Sequence, residues 1–298
     1  MAATNSYRFK TFGGVFLPSL LTILGVVMYL RLGTIVGNFG ISGAIGILLF
    51  AESIAVATGL SISSISTNTP VESGGPYFLI SRSLGPGFGS SVGMTYFVSQ
   101  ALSVPFYILG FSEAMTIVFP GFAAYRVLLG LVPLLVLFGI ALIGTDWAIR
   151  AQYLIFAVLT LSVFAMAGSA LGIPPSWSQF SRNLYPVLDQ GENFFAWTAA
   201  FAVFFPAVTG FLAGVNMSGD LENAGKSIPR GTLWAISVGF VVYLAEILLF
   251  GAAFSRQELS DNAYGTLIRY ALKKACGEGY LKPRVAVCIP SIITDVEQ

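Results

Sequence analysis

FFPAVTGFLAGVNMSGDL, residues 204–221, lies in a strongly apolar part of the chain, yet it holds a proline, three glycines and a threonine and runs into an aspartate. A helix in hydrocarbon must satisfy every backbone N–H and C=O internally. Residues that break helices are therefore out of place there unless the break is wanted. Proline lacks an N–H and strands the carbonyl four residues earlier, here near Ala202, and Gly210 lets the chain leave helical geometry just afterwards. In a membrane such freed groups persist only where they line a protein-walled cavity.

That the stretch is in a membrane follows from composition. Hydrophobic residues make up 55% of the 298 and charged residues 10%, against about 45–50% and about 25% in soluble domains. Apolar runs of spanning length recur, at about 14–37, 42–66, 88–118, 124–144, 149–172, 195–217 and 230–254. A helix needs about 20 residues to cross a ~30 Å core, so an all-α polytopic membrane protein with seven spans is expected. Residues 1–13 form a short tail, 14–254 the transmembrane domain, and 255–298 an extramembrane tail or the remainder of a truncated domain. Between the second and third spans, TNTPVESGGPYFLISRSLGPG is too polar to cross and reads as a short amphipathic or re-entrant segment.

If the N-terminus is cytoplasmic, the inner loops carry Arg8, Lys10, Arg82, Arg150, Lys226 and Arg230, and the outer loops carry Arg126 and Arg182. Six against two favours that orientation by the positive-inside rule, in a plasma or bacterial inner membrane. The tail after the seventh span breaks the pattern with Arg256, Arg269, Lys273, Lys274, Lys282 and Arg284, and a fragment of a longer protein is the reading it favours. No basic stripe points to nucleic acid. Cys276 and Cys288 imply no disulfide framework. Histidine is absent, so neither a metal site nor a nucleophile with its usual base is expected, and neither enzyme activity nor a cofactor.

A second stretch repeats the opening pattern. GGVFLPSLLTILGVVMYLRLG carries Pro18 and then Gly25, with a stranded carbonyl expected near Gly14. The two interrupted spans are the first and sixth, five apart, the spacing of a five-plus-five inverted repeat with its binding site at the bilayer midplane. Carbonyls at the end of a half-helix suit a cation, and N–H groups at the start of the next suit an anion. Glu52, Glu113 and Glu246 lie within spans and read as proton relays, cation ligands or hydrogen-bonded acids. Arg31 either snorkels or pairs with an acid, and the Tyr107 hydroxyl, midway along a span, needs a partner.

FFPAVTGFLAGVNMSGDL with the following KSIPRGT resembles the sixth helix and loop of the cation–chloride cotransporters, a family of the amino acid–polyamine–organocation superfamily. GVFLPSLLTILGVVMYLRLGTIVGNFGI resembles their first helix, SGGPYFLISRSLGPGFG their first cytoplasmic loop, and FYILGFSEAM their third helix. The resemblance covers about residues 12–265 in collinear order. It implies a LeuT-like inverted-repeat transporter fold and electroneutral co-transport of chloride with potassium, sodium or both.

Carried over, the potassium site would use Thr22, the carbonyls of Ile23 and Pro206, and the hydroxyls of Tyr107 and Thr209. One chloride would sit on the amides of Gly25, Val26 and Val27, the second on those of Gly210, Phe211 and Leu212. A partial sodium site would use backbone at Leu21 and Leu24. Thr22 replaces the asparagine typical of the family, and the eighth and tenth helices that complete the sodium and second chloride sites lie outside the sequence. The expectation is a chain that does not transport by itself. Two other readings stay open: an amino-acid permease of the same superfamily, and a truncated paralogue that regulates a full-length transporter. The expected partners are the bilayer, inorganic ions, and either a second copy or such a transporter.

Overall fold

The computed structural model describes residues 9–143, 145–171, 177–186 and 193–260. The expectations for Arg8, Cys276, Cys288 and the tail beyond residue 260 fall outside the described residues.

Among the described residues ten α-helices follow one another: α1 (Leu17–Ile23), α2 (Val26–Leu30), α3 (Leu32–Asn68), α4 (Gly75–Leu84), α5 (Pro86–Val118), α6 (Arg126–Ile143), α7 (Thr145–Leu171), α8 (Trp177–Asn183), α9 (Asn193–Val208) and α10 (Ala224–Ala253). A π-helical turn, Phe12–Phe16, leads into α1, and a 3-10 segment, Phe211–Asp220, follows α9. Among the described residues, seven stretches are long and apolar enough to cross a membrane, beginning with Phe12–Leu30 and ending with Ala224–Ala253. The protein is an integral, multi-pass membrane protein, as its composition predicts.

Two boundaries differ in kind from the simple reading. At 37 residues, α3 would extend about 55 Å at 1.5 Å per residue, far beyond one crossing. Gly40, at φ 69 and ψ 177, interrupts it. That turn separates the first two spans, inside the gap left between residues 37 and 42. The other difference is α10, which starts at Ala224 rather than near residue 230. The Asn223 side chain caps it by accepting from the Lys226 N–H at 3.2 Å, so much of the charged segment expected as a loop is already helical. The polar segment after the second span holds α4, with Gly75, Pro76 and Leu79 buried.

The core forms chiefly where α3 lies along α10, with Leu48, Ala51 and Ala55 buried together with Ala235, Tyr243 and Ile247. The first span is held against α10 by small residues, as membrane helices commonly pack. A Cβ on Gly231 would lie 2.6 Å from the Val15 Cβ, and one on Gly239 would lie 2.5 Å from the Ile23 Cγ2. The spans around α5, α6 and α7 turn apolar side chains such as Val127, Leu142 and Leu161 outward, the surface that hydrocarbon wets. α8 pins one end of this arrangement. The fully buried Asn183 amide donates to the Gly251 and Phe254 carbonyls at 2.8 Å each, and the Ser42 N–H donates to the Leu184 carbonyl at 3.0 Å.

Gly214 of the 3-10 segment gives the sharpest packing test, since an added Cβ would fall within 2.5 Å of the Val15 Cα, a backbone atom. Gly214→Ala is expected to destabilise by about 1–3 kcal/mol. Gly46→Ala, whose methyl meets nothing within 4 Å, should be neutral or stabilising by up to about 1 kcal/mol. Thermal unfolding in detergent checks both.

Candidate functional site

The first break lies at Leu24 and Gly25, not at Pro18. Pro18 sits in the opening turn of α1, directly after the π-helical turn in which the Leu17 N–H reaches the Phe12 carbonyl. Its missing N–H is absorbed where the hydrogen-bond spacing changes, and the helix runs on for one more turn. Leu24 then takes φ −79 and ψ 52, and the Gly25 N–H donates back to the Ile23 carbonyl at 2.8 Å. That is an inverse γ-turn, after which α2 begins at Val26.

The second break follows Val208. Pro206 remains inside α9, the Thr209 hydroxyl donates to the Pro206 carbonyl at 3.0 Å, and Gly210 turns left-handed at φ 94. Only glycine adopts that conformation cheaply. The 3-10 segment starts immediately, with the Ala213 N–H on the Gly210 carbonyl at 2.8 Å. As at any helix start, the N–H groups of the opening turn find no acceptor within it.

The two breaks touch. The Thr22 hydroxyl oxygen lies 2.8 Å from the Gly210 carbonyl and 2.8 Å from the Ser19 carbonyl. Three residues earlier on the same helix face, the fully buried Ser19 hydroxyl donates to the Phe211 carbonyl at 2.7 Å and accepts from the Gly214 N–H at 3.3 Å. Two further helices reach in. From α5, the Tyr107 hydroxyl donates to the Thr22 carbonyl at 3.2 Å. From α10, the fully buried Tyr243 hydroxyl donates to the Ile23 carbonyl at 2.9 Å.

A cavity of about 280 Å³ opens beside this junction. Thr22, Tyr107 and Thr209 line it from the expected potassium set, and Gly210, Phe211 and Leu212 from the second chloride set. Thr58, Tyr96, Ser99, Gln100 and Ser103 extend its polar wall along α3 and α5. No side chain lining it is charged. Such a site can replace a cation's hydration shell with neutral oxygens and hold an anion on the N–H groups where the 3-10 segment begins.

The remaining expected residues lie outside the cavity wall. The Ile23 and Pro206 carbonyls are engaged by Tyr243 and Thr209. Gly25 adjoins Tyr107, a Cβ on it falling 3.0 Å from the ring. Its N–H is spent on the γ-turn, so it is not free for the first chloride as the sequence suggests. Val26 packs beside Gly110 of α5, and Val27 and Leu24 are buried in the core. Leu21, half-buried, is in the last turn of α1. Of the acids, Glu113 pairs with Arg31 at 2.9 Å; Glu52 and Glu246 are buried and stay outside the cavity wall.

Ser19 and Tyr243 were not singled out from sequence. The rule that marks Tyr107, a hydroxyl midway along a span needing a partner, applies equally to Tyr243. Ser19 carries no such signal, because serine is common in membrane helices and its partners are backbone atoms of a remote segment.

Ser19→Ala leaves the Gly214 N–H without its acceptor in a dry interior, and a loss of about 1–3 kcal/mol is expected. Ser90→Ala, which removes only an exposed bond to the Pro86 carbonyl, should change stability by less than about 0.5 kcal/mol. Chemical denaturation in mixed micelles separates the two.

Comparison with known proteins places this geometry in context. The profile of the amino acid permeases matches residues 14–275. Vacuolar cation-chloride cotransporter 1 of Saccharomyces cerevisiae is 36% identical over 293 residues, covering 86% of this chain and 26% of that protein. Human solute carrier family 12 member 1 is 36% identical over 297 residues, covering 92% of this chain and 26% of that protein. Solute carrier family 12 member 2 of Squalus acanthias is 34% identical over 294 residues, with coverages of 92% and 24%. The chain spans about a quarter of the length of these curated relatives.

Proposed function

The chain belongs to the amino acid permease family, and from that premise we propose that it forms the ion-binding part of a secondary transporter that moves chloride together with potassium, sodium or both. One observation carries this reading: two broken helices meet at a cavity whose wall offers neutral oxygens and the opening turn of the 3-10 segment but no charged side chain. A cation would be held by the Tyr107 and Thr209 hydroxyls with oxygens of Thr22, Ile23 and Pro206. A chloride would sit on the opening amides of the 3-10 segment at Gly210, Phe211 and Leu212. A second would lie near Val26 and Val27, with Gly25 joining only if its γ-turn opens. Leu21 and Leu24 would contribute backbone to a sodium site. The similarity to a cation-chloride cotransporter supports this over the import of amino acids, the second reading that the family's description keeps open.

The N-terminus is proposed to be cytoplasmic. Phe9 exchanges backbone hydrogen bonds with Asp220 and Glu222 at 2.8 and 3.0 Å, and Gly75 donates to the Ser218 hydroxyl at 3.2 Å. Lys10, Arg82 on α4, and Lys226 and Arg230 on α10 thereby gather at one end of the molecule, consistent with the positive-inside rule.

Equilibrium binding tests the site without requiring a complete transport cycle. The purified chain should bind radiolabelled rubidium and chloride, each strengthening the other's binding, and should not bind labelled amino acids. Tyr107→Phe and Thr209→Ala should weaken rubidium binding about ten- to a hundredfold, the loss of one oxygen contact to a charged group. Unchanged rubidium affinity in both variants would sink the cation assignment.

A further inference from the structure

Glu52 and Glu246 are both buried acids that the ion cavity does not use, and Glu246 is the more enclosed of the two. It lies on α10 with 3% of its surface exposed, and neither carboxyl oxygen has a hydrogen-bond partner among the described residues. Beside it is a separate cavity of about 130 Å³, walled by Val163, Met166 and Ala167 of α7 and by Val242 and Leu249 of α10. An unpaired carboxylate in such surroundings is costly by several kcal/mol. Sodium or potassium does not fit as its companion, since either needs several oxygens around it and the wall supplies none beyond the carboxyl itself. A proton needs no second ligand.

The groups around it are few. On α10, Tyr243 stands one turn before Glu246, on the same face. Of the elements packed against α10, α3 carries only Glu52, and the titratable residues of α7, Asp146, Arg150 and Tyr153, stand ten or more residues before its cavity-lining Val163. Neither α1 nor α9 carries a titratable residue, and the 3-10 segment has only Asp220, at its far end. Arg182 of α8 lies at the other end, where Arg256 bonds to its carbonyl at 2.7 Å.

We propose that Glu246 is a proton-binding site, and that its proton competes with the transported cation for the Ile23 carbonyl. With the carboxyl protonated, Tyr243 is free to donate its hydroxyl to Ile23, the arrangement observed. When the proton leaves for solvent, the carboxylate one helical turn along α10 becomes a stronger acceptor than a backbone carbonyl. The Tyr243 hydroxyl then turns to it, and the Ile23 carbonyl, which keeps only the Gly25 N–H, has a lone pair free for a cation. No bond other than O–H is made or broken, and the one proton lost from the carboxyl is the one that reaches solvent. The coupling rests on the cation site proposed above; the proton site does not.

Infrared spectroscopy of the full chain in lipid tests the site itself. A carboxylic-acid carbonyl band, shifted by deuterium exchange, should be present in the wild type and lost in Glu246→Gln, but retained in Glu52→Gln. Glu246→Asp should shift the band without removing it, which guards against a glutamine variant that fails to fold. A wild-type spectrum lacking any band that depends on Glu246 overturns the proposal, whether or not the protein binds rubidium. Rubidium binding tests the coupling. It should strengthen as pH rises in the wild type and become independent of pH in Glu246→Gln, at the weak, low-pH level. The same pH dependence in both would overturn the competition while leaving the ion site intact.

Discussion

The rest of the structure depends on one constraint, the satisfaction of backbone polar groups where two membrane helices stop being helices. Water is not available in hydrocarbon to take up a freed carbonyl, and here the breaks satisfy each other. Ser19 and Thr22 of the first span bond to the Phe211 and Gly210 carbonyls of the sixth. Tyr107 and Tyr243 bring hydroxyls to the Thr22 and Ile23 carbonyls from two other helices. All of these donors are uncharged. The cavity beside them is therefore polar without a fixed charge, and its occupant is not decided in advance by a buried acid or base.

α10 is the element that makes this junction rigid. Its glycines admit the first span, Gly231 against Val15 and Gly239 against Ile23. One turn beyond Gly239 its Tyr243 takes hold of the break, and further on Gly251 and Phe254 receive the Asn183 amide of α8. The same helix lies along α3, so a movement at the break is resisted by the apolar core packed between the two.

Much of this was legible in the sequence, in an uneven way. Span number, the position of Gly210 as a break, and Tyr107 as an inward hydroxyl follow from residue chemistry alone. The motif resemblance, which the relatives bear out, added the family. Pro18 misled because a proline's effect depends on the hydrogen-bond spacing just before it, and a π-helical turn removes the conflict. Gly40 was legible only as part of the gap between the first two spans: its φ of 69, and the carbonyls of Asn183 and Tyr185 close to where its side chain would be, explain why no side chain is tolerated. Ser19 and Tyr243 act on atoms about two hundred residues away, a distance over which a single sequence carries no signal.

That separation has a consequence for how the protein is made. Ser19 and its acceptor carbonyl lie 192 residues apart, and Tyr243 and its acceptor lie 220 apart. At about 5–20 residues per second, the first span leaves the ribosome some ten to forty seconds before the groups that complete it exist. During that interval its open carbonyls must be tended by something else, water in the insertion channel or a chaperone within the bilayer. The break that distant parts of the protein satisfy leaves the first span with polar groups it cannot satisfy alone when it meets lipid.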